Sequence, residues 1–429
     1  MNVPQRKNKE METLYIYADF DWLDNPELVG RLTYERLRGN GTYGFCFDDS
    51  WLKNHAGILL SEEIRNFSGF QYSQEDHVFG FVSDTLPDRW GRKLLYRKEQ
   101  AEAEEERRPI RNLYSYDYLI GIDDHLRMGA LRLKKDEDGE FLNSDDHLLV
   151  PPLTSIKELT IAAQEYEKSD EANELPEKKW IRQLAHPGTS LGGARPKANV
   201  IDEDGHLWIA KFPSRRDLYD MALWEHFCHL LAKEAGINVA KTDLITAGDD
   251  GYHALLSKRF DRTDDDKRIH FASAMTMTGL SDGDNFETGH GYLDIVDFIV
   301  EGCCDVDDNL QELYRRVAFN ICVGNSDDHF RNHGFLLTKR GWTLSPAYDI
   351  NPSENMTQCL LIDSYTNESD LHKLLEACDD YYLPFETAEQ IISQVKTAVR
   401  NWNQLASELH IKESEIDRFS WRFTDFGLL

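Results

Sequence analysis

The apolar residues of this chain change their period part-way along it, and that change constrains the fold more than any other feature. Up to residue 269 the apolar stretches are short and rich in β-formers: residues 14–18 (LYIYA), the aromatic segment 28–47 broken by Gly39, Gly41 and Gly44, and residues 198–201, 207–212 and 254–260. One helical stretch, residues 217–235, lies among them and stops at Gly236, where a helix C-terminus favours glycine. After Ile269 the spacing turns largely helical. Leu313, Val317 and Ile321 form one series; Ile391, Val395, Ala398, Trp402, Leu405 and Leu409 form another, with Thr387 and Gln390 at capping-box spacing at its start. The chain is therefore expected to be α+β and two-lobed. Its divisions are expected at 1–140 (an N-terminal α+β subdomain), 141–265 (a β-rich lobe) and 266–429 (an all-α lobe). Polar stretches at 167–179 (EKSDEANELPEKK) and 262–268 (RTDDDKR) read as loops, the second between the lobes. Residues 97–108 (RKEQAEAEEERR) read as a solvated charged helix or loop without chemistry.

Length and charge narrow the function classes. A chain of 429 residues is long enough for two or three cored domains. With 48 Lys and Arg against 77 Asp and Glu, the net charge of −29 repels a nucleic-acid backbone, so DNA or RNA binding through a broad surface is disfavoured, which leaves a local basic patch or a separate DNA-binding partner. No apolar run approaches the ~18 residues that cross a bilayer, and residues 1–10 lack the apolar core of a signal peptide, so the cytoplasm is the expected location. Met11 follows this polar leader and is a second candidate start. Seven cysteines, an odd number with no C-x-x-C pair, suggest reduced thiols rather than a disulfide framework or a zinc ribbon.

Chemistry-bearing residues concentrate in residues 324–337 (GNSDDHFRNHGFLL), between a helix and a strand-like run. Asp327 and Asn332 stand five positions apart, the spacing at which a phosphotransferase loop places its base and a magnesium-binding amide. A β-hairpin is expected over residues 334–344, and Asp349 just after it returns to the same cleft as a second hard-oxygen metal ligand. Two other readings compete. His329 and His333 are four apart, but Phe330 stands where a zinc protease has glutamate, and a loop does not hold an i, i+4 face. Asp and Asn in such a loop also serve as ordinary helix caps.

Upstream, residues 186–197 (HPGTSLGGARPK) place Gly188, Gly192 and Gly193 around Thr189 and Ser190, a turn whose backbone N–H groups suit phosphate oxygens; a plain hairpin turn fits about as well. Lys211 ends an apolar strand, which is costly unless its ammonium meets an anion. Glu225, on the following helix and on the face of Leu218, Met221 and Ala222, is the candidate partner of Lys211, against an alternative in which it is solvent-exposed. Residues 255–262 (LLSKRFDR) form an extended connector whose backbone could meet an adenine edge; an ordinary strand end fits them as well.

Taken in order, residues 190–197 (SLGGARPK), 209–211 (IAK), 258–262 (KRFDR), 325–334 (NSDDHFRNHG) and 344–349 (LSPAYD) resemble the HipA-like family. Residues 81–92 (FVSDTLPDRWGR) and 127–132 (RMGALR) are similar to its N-terminal subdomain. The resemblance spans roughly residues 14–400. It implies a protein-kinase-like fold and an ATP- and magnesium-dependent serine/threonine kinase that is the toxin of a bacterial toxin–antitoxin module. By position it implies Asp327 as catalytic aspartate, Asn332 and Asp349 as Mg2+ ligands and Lys211 as the nucleotide-phosphate lysine. Lys258 and Phe260 then match main-chain adenine contacts, His329 a catalytic-loop histidine near the phosphates, and Ser190 an autophosphorylated serine, with Thr189 beside it. Some relatives carry an acidic residue at the position of Lys258. The implied partners are a small DNA-binding, HipB-like helix-turn-helix antitoxin and a protein substrate such as an aminoacyl-tRNA synthetase or another translation factor. A small-molecule kinase and a catalytically silent kinase-like module holding the antitoxin are the alternatives.

Overall fold

The computed structural model describes residues 11–37, 40–74, 77–144, 150–172, 174–185, 193, 195–247 and 251–425. They form a mixed α+β structure with three antiparallel sheets. The first has the order β4-β3-β2-β1-β5, from β1 (Met11–Ala18), β2 (Glu27–Leu37), β3 (Asn40–Phe47), β4 (Gln71–Tyr72) and β5 (Leu131–Lys134). Alternation in β1 sends Leu14, Ile16 and Ala18 into the core. Gly30 is required where β2 passes β3, because a Cβ there would lie 2.3 Å from the Cys46 carbonyl oxygen.

The second sheet runs β6-β7-β9-β8, from β6 (Lys197–Ile201), β7 (Leu207–Lys211), β8 (Thr242–Thr246) and β9 (His253–Lys258). The helix Met221–Glu234 lies against β8 and β9. It is capped by Asp220, which accepts the Leu223 N–H, and is followed by Gly236 at φ +83°. It starts later than the expected residue 217, and Leu218 lies before it, 78% exposed, so Leu218 is not part of the face that carries Glu225. A separate apolar cluster joins the inner face of this sheet to Trp90 and Leu94 of the helix Arg89–Glu106 and to the helix Ile156–Glu171.

The third sheet, β10 (His270–Ser273), β11 (Gly334–Thr338) and β12 (Gly341–Leu344), corrects the expectation that residues 266–429 are all helical. The β11–β12 hairpin lies where expected, and β10 pairs with β11 across an intervening helical stretch. The helix Val306–Val323, buried along most of its length, stops at Gly324 at φ +72°.

Other expectations give way to long-range packing. Residues 167–179 are not one loop: the helix Ile156–Glu171 takes the first five, and a new helix, Lys178–Ala185, takes the last two. Residues 97–108 are not simply solvated. The helix ends at Arg107 in a left-handed conformation, and the chain turns back so that Arg108 and Arg111 both reach Glu99, which is only 2% exposed. Residues 262–268 do not loop freely between two bodies, because Arg262 and Arg268 are buried and donate to carbonyls of residues 124–129. Thr387 caps nothing, since the helix Phe385–Val399 has Pro384 at its N-cap. The apolar series that follows is divided between that helix and Trp402–Glu408. The cysteines are free, and no described helix is long and apolar enough to cross a membrane.

Candidate active site

Three elements converge on Lys211. Its strand β7 is central in its sheet, held between β6 and β9, so the Lys211 backbone is fixed on both sides. The helix Met221–Glu234 brings Glu225, 5% exposed, to the same point. Asp349 arrives from beyond β12, where the Ala347 N–H donates to the Asn238 carbonyl and ties that segment to the end of the same helix. The Lys211 ammonium donates to Glu225 Oε1 at 2.6 Å and to Asp349 Oδ1 at 2.7 Å.

The electrostatics follow from this bonding. Burial opposes charge on Lys211, but the two carboxylates outweigh it and push the ammonium above its ordinary value. Desolvation likewise opposes charge on Asp349, yet Lys211 holds its carboxyl well below the usual range. Glu225 moves the other way: burial raises it, and Lys211 only partly compensates. Asp349 sits at φ +59°, a left-handed conformation uncommon for a residue with a side chain and found disproportionately at functional sites.

The loop after the helix Val306–Val323 presents Asp327 on its outer side and turns Asp328 inward. Asp328 accepts from Tyr292 Oη at 2.8 Å and Asn320 Nδ2 at 2.6 Å, and pairs with His333 Nε2 at 2.7 Å. Burial raises Asp328, but His333 and the hydrogen bonds outweigh it and lower it overall. This aspartate escapes sequence reasoning, although an Asp-Asp doublet in a loop signals that one carboxylate must anchor while the other is displayed. Asn332 donates to the Asp327 carbonyl at 2.9 Å and closes the turn. Desolvation, with Asp349 and Asp328 nearby, raises the Asp327 carboxyl against the pull of His329. The His329 Nδ1 atom is buried and has no hydrogen-bond partner among the described residues.

Of the remaining candidates, Phe260 packs against Tyr348, the neighbour of Asp349, with ring centroids 5.6 Å apart. The Tyr348 hydroxyl donates to the Arg331 carbonyl, so the 260 region, the loop that carries Asp327 and the Asp349 segment share one contact zone. The Lys258 ammonium points elsewhere, to Asp264 at 2.7 Å, and its backbone N–H donates to the Lys241 carbonyl. Gly193 is left-handed at φ +86°; Thr189, Ser190 and Gly192 lie outside the described residues. His333 Nε2 is engaged by Asp328, and neither His329 nor His333 belongs to a group of three or more potential metal ligands among the described residues. Asp349 and Asn332 carry the hard oxygen atoms that magnesium prefers, so the donor set fits that ion rather than zinc.

Residues 189–402 match the family model described as the HipA-like C-terminal domain. The chain belongs to the HipA-like family. It is 28% identical over 188 residues to the "Serine/threonine-protein kinase toxin HipA" of Shewanella oneidensis, covering 38% of this chain and 43% of that one. It is 28% identical over 186 residues to a "Putative kinase" of Haemophilus influenzae, covering 39% and 54%. The chain thus spans about half the length of the curated relatives it matches. Its fold is similar to a chain in the solved Shewanella oneidensis MR-1 complex of HipA, HipB and operator DNA. That match has a TM-score of 0.65 and 19% identity, over 96% of this chain and 95% of that one. The HipA-like fold therefore extends well beyond the matched C-terminal domain.

Proposed function

We propose that this protein is an ATP- and magnesium-dependent serine/threonine protein kinase, the toxin partner of a small DNA-binding antitoxin. The observation that carries the reading is the double engagement of Lys211 by Glu225 and Asp349. A lysine held between a helix carboxylate and a carboxylate beyond a hairpin is the arrangement a phosphotransferase uses to aim a phosphate-binding cation. In this reading the β6–β9 sheet with the helix Met221–Glu234 is one lobe, and residues 266–429, with their three-stranded sheet, belong to the other. ATP lies between them, its adenine against the main chain at Lys258 and Phe260, its phosphates bound by Lys211 and by Ser190, Gly192 and Gly193 of the glycine-rich sequence.

Asn332 and Asp349 would hold magnesium, which would neutralise charge on the phosphates. Lys211 exchanges its Asp349 bond for a phosphate oxygen while Glu225 keeps it aimed. Asp327 orients a serine or threonine hydroxyl and takes its proton as the oxygen bonds to the γ-phosphorus and the bond to the leaving ADP oxygen breaks. The carboxyl's upward shift makes it a better base than an ordinary aspartate. His329 faces the phosphates. Ser190 is the autophosphorylation site: about −1.5 to −2 added charge beside the nucleotide phosphates expels the turn and silences the enzyme.

The Shewanella oneidensis neighbour was solved with HipB and operator DNA, which supports an antitoxin partner here. Such a partner would bring to DNA a chain whose own charge of −29 is repelled by it. A protein substrate, to be sought among translation factors, and a cytoplasmic location complete the reading. Radiolabelled ATP with cell extract tests it. Labelled protein bands are expected with the parent protein and a loss of about 10²–10⁴-fold with Asp327→Asn. Label in a small metabolite, or undiminished transfer by the variant, overturns it.

A further inference from the structure

Register places a second lysine beside the first. In the β6–β7 ladder Lys197 stands directly opposite Lys211. Directly opposed residues of an antiparallel pair project from the same face with Cβ atoms about 4.5–5.5 Å apart, and like charges so placed repel. Lys211 is neutralised by Glu225 and Asp349. Lys197 is neutralised from a distant part of the chain, by Asp88 Oδ2 at 2.9 Å, with both side chains nearly closed to solvent at 4% and 2% exposure.

The grip on Lys197 is double. Asp88 caps the helix Arg89–Glu106 with its other oxygen, accepting the Gly91 N–H at 2.7 Å. Two residues on, Trp90 Nε1 donates to the Lys197 carbonyl at 3.0 Å. A helix cap needs no buried lysine, and an apolar residue would close this site at less cost than a desolvated ion pair. The ammonium also lies beside Gly193, where an added Cβ would stand 3.2 Å from Lys197 Nζ. Four residues before Asp88, the buried carboxylate of Asp84 accepts the Ser273 N–H at 2.7 Å and the Ser273 hydroxyl at 2.8 Å. Ser273 caps the helix Ala274–Thr278, whose first N–H donates to the His333 carbonyl. One short motif thus holds Lys197 directly and reaches the segment that follows Asp327 through Ser273 and Ala274.

We propose that Asp88 is a positioning residue of the nucleotide site, fixing Lys197 beside Lys211 so that two ammonium groups face the phosphates together. This rests on the ATP reading above, and it makes the N-terminal motif of residues 81–92 part of the site. Calorimetric titration with ADP and with adenosine, both with magnesium, separates phosphate recognition from adenine recognition. The parent protein is expected to prefer ADP. Asp88→Asn is expected to weaken ADP binding about tenfold and to leave adenosine binding unchanged. Lys197→Met should lose the same amount, the double variant no more, and Asp88→Glu should recover part of it. An undiminished ADP preference in Asp88→Asn, or losses that add in the double variant, would overturn the proposal. Should Asp88→Asn fold poorly, Lys197→Met, which leaves the helix cap intact, carries the same comparison, and an undiminished ADP preference there is equally fatal. A parent protein that binds neither ligand would instead remove the nucleotide reading itself.

Discussion

Among the clusters of opposite charge in the described residues, those around Asp261 and around Lys211 are built differently. Around Asp261 everything is closed: Arg259 and Asp261 have no exposed side-chain surface, and Arg262 has 4%. Asp261 also accepts the Gly129 N–H at 2.8 Å, while the two arginines spend further donors on carbonyls of residues 125–129. Around Lys211 the cluster is open on one side. Glu225 is closed in at 7%, but Asp349 keeps 39% of its side-chain surface. A cluster that meets its hydrogen-bonding needs within the fold fixes a shape. One that leaves a carboxylate at the surface can exchange a partner for a ligand.

The comparison breaks most readily at Asp261. Removing one member of a buried ionic cluster leaves uncompensated charge, so Asp261→Asn is expected to lower the unfolding free energy by about 3–5 kcal/mol. Urea denaturation measures it, and ADP affinity of the folded fraction should not move. A denaturation midpoint equal to the parent's would mean that the closed cluster is no framework. Lys211→Met should show the opposite pattern. Loss of a phosphate-facing cation is expected to reduce kcat/KM by about 10²–10³-fold, with a smaller change in stability because Asp349 can reach water. If melting temperature and turnover fall together in both variants, the distinction between the clusters fails.

A third prediction concerns a buried group with no charge partner. His270 stacks on Phe20 with centroids 5.5 Å apart, and neither ring nitrogen has a hydrogen-bond partner among the described residues. It borders the closed cluster, since a Cβ on Gly129 would lie 3.2 Å from His270 Nδ1. Burial pushes the ring down to about 3. An unfolded chain takes up a proton near pH 6.5 that the folded chain refuses, so this contribution to stability is intact above pH 6.5 and is lost as pH falls towards about 3. The expected slope is about 1.4 kcal/mol per pH unit for this one group. His270→Phe should flatten that part of the stability profile, and parallel profiles for the two proteins would refute the assignment.

What was legible in the sequence is what repeats locally. Short runs of β-formers marked residues 198–201 and 207–212 as strands, a lone lysine in an apolar strand marked Lys211 as needing an anionic partner, and a five-residue interval marked Asp327 and Asn332 as candidates. The framework cluster was illegible because Arg259, Asp261 and Arg262 look like an extended connector, and Arg268 like part of a polar loop, until the backbone of residues 124–129 is folded over them. Glu99 was misread for the same reason: the arginines that bury it follow the helix end, in a run that reads as uniformly solvated. Asp88 and Lys197 lie 109 positions apart, and no local pattern announces such a pairing. Thr387 and Gln390 show the converse failure, a correct local spacing overridden by Pro384, whose fixed φ suits a helix start.

The smallest expected effect sharpens the boundary of the open cluster. Lys258 lies in the segment proposed to meet adenine, yet its side chain turns away to Asp264, whose own side chain is 84% exposed. An ion pair so open to water adds little to stability. A contact made by main chain does not depend on which side chain the residue carries, and the backbone here is held by the Lys258 N–H to the Lys241 carbonyl and the Arg259 N–H to the Leu207 carbonyl. Lys258→Ala is therefore expected to leave the denaturation midpoint close to the parent's and ADP and adenosine affinities within about twofold of the parent's. Phe260→Ala should do more in the same titration, because its ring packs on Tyr348 next to Asp349. If Lys258→Ala weakens adenosine as strongly as Phe260→Ala does, the adenine end of the site is read by side chains, and the open cluster extends further along the connector than Lys211, Glu225 and Asp349 alone define.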